Sequence, residues 1–210
     1  MKRLDRKEIA QWLTGAEQAA PVYLVGIGGC GMSGLAHLLL DAGFAVYGSD
    51  LRENPGICQL RERGAEIFIG HAPEQLRTAR PDLVVYSSAI RTDNPELTVA
   101  EQQGLPMVRR AVLLAALTHQ RRSICIAGMH GKTTTTALLA HALEALGTDP
   151  GFAVGALAPQ LGRHARVGVE GSFFVVETDE SDGTLREFQP HQSIVLNIDE
   201  EHLDFYANFE

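Results

Sequence analysis

The stretch Gly128-Met129-His130-Gly131-Lys132-Thr133-Thr134 constrains this chain more than any other, because it joins the apolar run Ser123-Ile124-Cys125-Ile126-Ala127 to a helix-like segment. A strand, a tight loop and a helix N-terminus together form an anion cradle. Backbone N–H groups point outward there, and the helix macrodipole adds positive potential. Lys132 can bridge the terminal phosphates of a polyphosphate, so the arrangement predicts a nucleoside triphosphate. The ordinary phosphate loop carries a glycine five positions before the Gly of Gly-Lys, whereas position 126 is isoleucine. The loop is thus a shorter variant, with His130 before Gly131.

With 210 residues the chain can hold one large domain or two small ones, each with a real core. Its 45% hydrophobic and 21% charged residues are those of a globular protein and argue against disorder or a coiled coil. A net charge of -8 argues against nonspecific nucleic-acid binding, which needs a basic surface. Cys30, Cys58 and Cys125 are odd in number and form no Cys-x-x-Cys pair, so neither a disulfide framework nor a zinc site is indicated, and buried or inert thiols are expected. The charged start Met1-Lys2-Arg3-Leu4-Asp5-Arg6-Lys7-Glu8 has no signal-peptide apolar region, and no apolar run approaches the ~18 residues needed to span a bilayer. A cytoplasmic location is expected. Oligomeric state is not legible in the sequence.

Ile9, Trp12 and Leu13 fall at helical spacing and predict a short docking helix. From Pro21, strand patterns at 22–26, 44–48, 65–69 and 83–86 alternate with helix patterns at 32–40, 57–63, 74–80 and 96–103. Repeated βα units predict a parallel sheet covered on both faces, a Rossmann-like α/β fold. A further helix pattern at 111–117 is followed by the polar cluster Thr118-His119-Gln120-Arg121-Arg122, read as a domain junction. The phosphate loop then opens a second βα unit, whose helix at 133–146 stops at Gly147 with Pro150 beyond. Later strands are expected at 173–177 and, as a buried strand, at 193–198. With no further βα units, the second module reads as an incomplete P-loop-type α/β domain.

Gly26-Ile27-Gly28-Gly29-Cys30-Gly31-Met32-Ser33-Gly34 follows the first strand and opens a helix. Its Gly-x-Gly-x-x-Gly spacing permits a sharp turn and close approach of a pyrophosphate to the helix N-terminus. Asp50 ends the next strand, where an acid usually meets a ribose hydroxyl. These features suit NAD, but any nucleoside diphosphate presents the same dianionic bridge, and a purely structural turn is the alternative.

A bound triphosphate brings magnesium, which prefers hard oxygen ligands. Thr133 supplies the usual hydroxyl, and the strand Phe173-Phe174-Val175-Val176 delivers Glu177 at its C-terminal end, the expected metal carboxylate. The acidic run Thr178-Asp179-Glu180-Ser181-Asp182 reads equally as a solvated turn. His202, in Asp199-Glu200-Glu201-His202-Leu203-Asp204, can bind metal, orient a phosphate, or simply be a surface histidine.

Taken in order, these motifs resemble the Mur ligases of bacterial peptidoglycan synthesis. The resemblance also rests on Gly48-Ser49-Asp50, Ser87-Ser88-Ala89-Ile90, Asp93-Asn94-Pro95-Glu96, Val108-Arg109-Arg110-Ala111 and Asn197-Ile198, and it spans nearly everything from Pro21 onward. It implies an N-terminal helical extension at 1–20, a Rossmann-like UDP-sugar-binding domain at 21–120, and part of an ATP-binding central domain at 121–210. It is strongest toward members that join L-alanine to UDP-N-acetylmuramate, which implies those two substrates with ATP and Mg2+ as cofactors. A third domain of the family, which helps to bind ATP and the amino acid, has no counterpart in these residues.

The resemblance further implies that Gly128, Met129, His130, Gly131, Lys132, Thr133 and Thr134 hold ATP, with Lys132 on its terminal phosphates. Thr133 and Glu177 would hold one magnesium, and Glu177 with His202 a second, making Lys132, Glu177 and His202 the catalytic set. Gly28, Gly29, Gly31, Met32 and Ser33 would cradle the UDP pyrophosphate, with Asp50, His71 and Ser88 around the nucleotide or sugar. Three positions depart from the family pattern: Met129 replaces a threonine, Val112 an acid, and Glu201 an aspartate. Competing readings are a recycling ligase that attaches a tripeptide to the same sugar nucleotide, and a nucleotide-binding module without chemistry.

Overall fold

The computed structural model describes residues 3–180 and 183–199, which fall into two compact units divided between Leu113 and Leu114. The first unit opens with α1 (Arg6–Gly15). The Asp5 carboxylate accepts from the Glu8 N–H while the Glu8 side chain accepts from the Asp5 N–H, a reciprocal cap that fixes where the helix starts. Ile9 is fully buried and Trp12 stacks on Phe44 with ring centroids 5.6 Å apart, so the helix packs on the body as its spacing predicts.

Four βα repeats and a fifth strand follow: β1 (Pro21–Val25), α2 (Cys30–Asp41), β2 (Ala45–Asp50), α3 (Pro55–Glu62), β3 (Glu66–Ile69), α4 (Pro73–Ala79), β4 (Leu83–Tyr86), α5 (Pro95–Gln102) and β5 (Met107–Arg109). Their strands form one parallel sheet in the order β3-β2-β1-β4-β5. Leu83 to Tyr86 and Val22 to Val25 are buried throughout, as continuous apolar runs must be when helices cover both faces. Turns set the helix starts: Asn54 and Asn94 accept from the first-turn N–H groups of α3 and α5, each followed by proline. The order reverses at β1, which pairs with β2 on one side and β4 on the other. Open α/β sheets bind ligands at such a switch point, beyond the carboxyl ends of the strands.

The helix α6 (Arg110–His119) contains the division between the units. The second unit continues with β6 (Arg122–Ala127), α7 (Lys132–Ala145), β7 (Gly151–Ala153), β8 (Ala165–Arg166), β9 (Phe173–Glu177), a 3-10 turn at Thr184–Glu187, and β10 (Gln192–Val195). Its sheet has the order β10-β6-β9-β7-β8, parallel except for the β7–β8 pair. Two expectations are corrected here. The strand expected as buried at 193–198 is β10, an exposed sheet edge where Val195 keeps 59% of its surface, because among the described residues only β6 pairs with it. The sheet also gains β7 and β8, which sequence patterning did not signal. β7 opens on a glycine that reads as a breaker, yet a Cβ at Gly151 would lie 2.3 Å from the Val167 carbonyl oxygen. Cys125 is buried and its thiol is pushed up to about 12 by desolvation, while Cys30 and Cys58 are exposed rather than buried.

Candidate functional site

In the first unit, the glycine cluster turns off the end of β1. Gly26 takes φ +79°, and the N–H groups of Gly26 and Ile27 both donate to the Ser49 carbonyl. The Gly28 N–H donates to Asp50 Oδ2 at 2.8 Å, the Gly28 carbonyl accepts from the Asn54 amide at 3.0 Å, and the Gly29 N–H donates to the Gly26 carbonyl. A Cβ at Gly28 would sit 2.6 Å from the Asn54 amide nitrogen and 2.9 Å from Asp50 Oδ2. Asp50 and Asn54 thereby shape the loop from below.

Since Gly28 and Gly29 spend their N–H groups inside the turn, the amides left at the helix start are those of Cys30, Gly31 and Met32, which have no acceptor among the described residues. The guanidinium of Arg110 lies against that first turn, 2.9 Å from where a Gly31 Cβ would be. Backbone amides and a cation converge there, the requirement for holding a pyrophosphate. Met32 and Ser33, by contrast, are 2% and 1% exposed, so their side chains pack inward and only the backbone of Met32 is available to an anion.

Ser88 is exposed in the turn after β4, and that turn reaches the glycine cluster through Ile90, whose side chain would meet a Cβ on Gly26 at 2.9 Å. His71 follows β3 and is tied through Nδ1 to Glu96 Oε2 at 2.8 Å and to Ser49 Oγ at 3.0 Å.

In the second unit, β6 delivers the phosphate loop. Gly128 takes φ +131° and Gly131 φ +86°, conformations that L side chains avoid and that fold the loop back onto the start of α7. Asn197 clamps the loop from beyond β10: its Oδ1 accepts from the His130 N–H and its amide donates to the His130 carbonyl, both at 2.9 Å. Replacing Asn197 by alanine removes both bonds at an exposed site. We expect about 1 kcal/mol lower stability, read by thermal unfolding.

The amides of Lys132, Thr133 and Thr134 have no acceptor among the described residues, the first intrahelical bond being Thr135 N–H to the Gly131 carbonyl. The Lys132 amine donates to the Gly128 carbonyl at 2.6 Å, the Met129 carbonyl at 3.4 Å and Glu180 Oε1 at 2.7 Å. All three of its protons are therefore engaged. Thr133 Oγ1 donates to Glu177 Oε1 at 3.1 Å, and Glu177 Oε2 accepts from the Gly155 N–H at 2.8 Å. A hydroxyl and a carboxylate thus meet at the foot of the amide cradle, a hard-oxygen pair that fits Mg2+ bound alongside phosphate oxygens. His202, the other expected metal ligand, lies outside the described residues, as do Glu201, Ser181 and Asp182. Among the described residues no group of three metal-ligating side chains forms, and no helix is long and apolar enough to cross a membrane.

Residues 21–122 match the Mur ligase family, catalytic domain, and residues 126–210 match the Mur ligase middle domain. The chain belongs to the Mur ligase family. This Mur ligase chain is 44% identical over 194 residues to the UDP-N-acetylmuramate--L-alanine ligase of Aquifex aeolicus, covering 92% of this chain and 42% of that one. It is 49% identical over 189 residues to the enzyme of the same name from Chelativorans, with 90% and 40% covered. Among solved structures, the UDP-N-acetylmuramate-alanine ligase of Thermotoga maritima superposes with TM-score 0.83 at 34% identity, over 90% of this chain and 44% of that one. A ligase of UDP-N-acetylmuramate and L-alanyl-gamma-D-glutamyl-meso-diaminopimelate from Neisseria meningitides gives TM-score 0.83 at 29% identity, over 90% and 64%. The chain therefore spans about two fifths of the length of these curated Mur ligase relatives.

Several residues that shape the Mur ligase sites escaped the sequence reading. Asn197 reaches the phosphate loop from far along the chain, Gly155 reaches the Glu177 carboxylate, and Glu180 sat in an acidic run that reads as solvent-facing. Asn54 carried a usable signal, since Asn-Pro before an apolar-periodic segment marks a helix start beside the loop that it supports.

Proposed function

We propose that this chain carries the sugar-nucleotide pocket and the phosphate loop of a ligase that joins L-alanine to UDP-N-acetylmuramate at the expense of ATP. The observation that carries the reading is the meeting of Thr133 and Glu177, 3.1 Å apart, under the open amides of α7 beside Lys132. The naming of relatives at 44% and 49% identity supports the choice of substrates. Residues 21–120 are assigned to the UDP-sugar and 121–210 to ATP, with 1–20 as a helical extension.

On this reading the lactyl carboxylate of the sugar attacks the γ-phosphorus of ATP, ADP departs, and the acyl phosphate formed is attacked by the amine of L-alanine, which expels phosphate and leaves an amide. Lys132 and the open amides of residues 132 to 134 bind the phosphates and hold the γ-phosphoryl group in line, where electrostatic stabilisation is the dominant contribution. Thr133 and Glu177 would hold Mg2+, which when bound would neutralise phosphate charge. The open amides of Gly31 and Met32, with Asp50, His71 and Ser88, are assigned to the UDP moiety. His202 is retained as a candidate ligand for a second metal.

Calorimetry on the 210-residue protein tests the reading. It is expected to bind UDP-N-acetylmuramate in preference to NAD, and Mg-ATP in an independent event. Preference for NAD would overturn the reading in favour of a nucleotide-binding module. The Neisseria ligase and a murein peptide ligase from Psychrobacter arcticus, with TM-scores 0.83 and 0.78, favour the recycling activity as the second reading. ADP release by the full-length enzyme that depends on a tripeptide and not on L-alanine would select it.

A further inference from the structure

Glu96 stands in the first turn of α5, a place where a glutamate ordinarily faces solvent, yet it is fully buried. A buried carboxylate survives only when its lone pairs are matched by donors. Four groups supply them. Tyr23 from β1 donates to Oε1 at 2.6 Å, and Ser49 from β2 donates to Oε2 at 2.7 Å. His71, just past β3, approaches Oε2 through Nδ1 at 2.8 Å. Gln75 from α4, with its amide nitrogen turned inward, donates to Oε1 at 2.9 Å and to the Gly70 carbonyl at 3.1 Å. An ionised carboxylate offers about four acceptor sites, and all are filled.

The consequence falls on His71. A carboxylate oxygen cannot donate, so Nδ1 of His71 must carry the proton, and Nε2 is left as the ring's other functional atom. Among the described residues the hydrogen bonds of His71 run through Nδ1, and its side chain keeps 13% of its surface exposed. It lies beside Asp50, whose carbonyl accepts from the Gly70 N–H and whose carboxylate supports the glycine loop. That is the nucleoside side of the cradle.

We propose that Glu96 is a positioning residue that fixes His71 as the Nδ1–H tautomer, so that Nε2 accepts a hydrogen bond from an N–H or O–H of the bound nucleoside. Tyr23, Ser49 and Gln75 serve the same end by holding the carboxylate still. This rests on assigning the first unit to the UDP moiety, but the tautomer itself does not.

Long-range 1H–15N correlation spectra of the unliganded 210-residue protein are expected to show His71 protonated at Nδ1 and bare at Nε2, and either an unprotonated Nδ1 or a protonated Nε2 would overturn the proposal. In Glu96→Gln, which puts an amide where the carboxylate stood, the expected results are loss of that signature and about tenfold weaker binding of both UDP and UDP-N-acetylmuramate, with Mg-ATP affinity unchanged. Glu96→Asp should restore the signature and part of the affinity. An unaltered His71 spectrum in Glu96→Gln, unchanged UDP affinity, or equal weakening of UDP and Mg-ATP would each overturn the positioning role. Loss confined to UDP-N-acetylmuramate would overturn the nucleoside assignment. If the wild-type protein binds neither uridine ligand, the functional reading fails, and the spectra still decide whether Glu96 sets the tautomer.

Discussion

Replacing Lys132 by methionine is expected to weaken ATP binding about 100-fold, the cost of about 3 kcal/mol for losing a charge-assisted contact to phosphate. The same change leaves Glu180 without the cation it faces at 2.7 Å, with side chains 14% and 11% exposed. Breaking a buried pair from one side costs about 3–5 kcal/mol, and residual exposure puts this one at or below the lower end. Two losses are therefore superimposed, and a second variant separates them. Combining Lys132→Met with Glu180→Gln removes the carboxylate charge that Lys132 faces, so thermal stability should recover while ATP affinity stays low. If ATP affinity recovers with stability, the lysine acts on the fold and not on the phosphates. All three ammonium protons are engaged by protein groups, so on the proposed reading ATP would exchange partners at Lys132 and not meet an idle cation.

The second large effect is expected at Gly155, where an added Cβ would lie 2.6 to 2.9 Å from the carboxylate of Glu177. What must yield is the end of a side chain and not backbone, so Gly155→Ala should cost little stability. The carboxylate, however, is pushed off the position from which it meets Thr133. Displacing a metal-orienting group typically weakens metal binding 10–100-fold. Accordingly, the Mg2+ concentration giving half-maximal ATP binding should rise about 10–100-fold in calorimetric titrations, while the unfolding midpoint stays near that of the parent. An unchanged Mg2+ requirement would remove Glu177 from the metal site.

Much of the first unit was legible because its signals are local. The apolar runs at β1 and β4, the prolines and asparagines at helix starts and the glycine cluster each fix a piece of backbone on their own, and the strand–loop–helix at 123–146 did the same for the second unit. What escaped depends on partners distant in sequence. β7 and β8 are three and two residues long, too short for any periodicity, and exist because Phe152 and Ala153 pair with β9 on one side and β8 on the other. β10 carries the apolar composition of an inner strand but takes the edge of the sheet. Glu96 gave no warning either, since Tyr23, Ser49, His71 and Gln75 reach it from four separate segments. The candidate residues in the phosphate loop were readable from spacing, whereas Asn197 and Glu180, which bond to that loop, and Gly155, which bonds to Glu177, were not.

Asp50 and Asn54 under one glycine turn, and Asn197 over the other, mean that each mould is cast before its guest arrives. A nucleotide settling into either one has little chain to immobilise, so most of its contact energy remains as affinity. The side chains that hold these moulds act on binding without themselves having to touch the ligand.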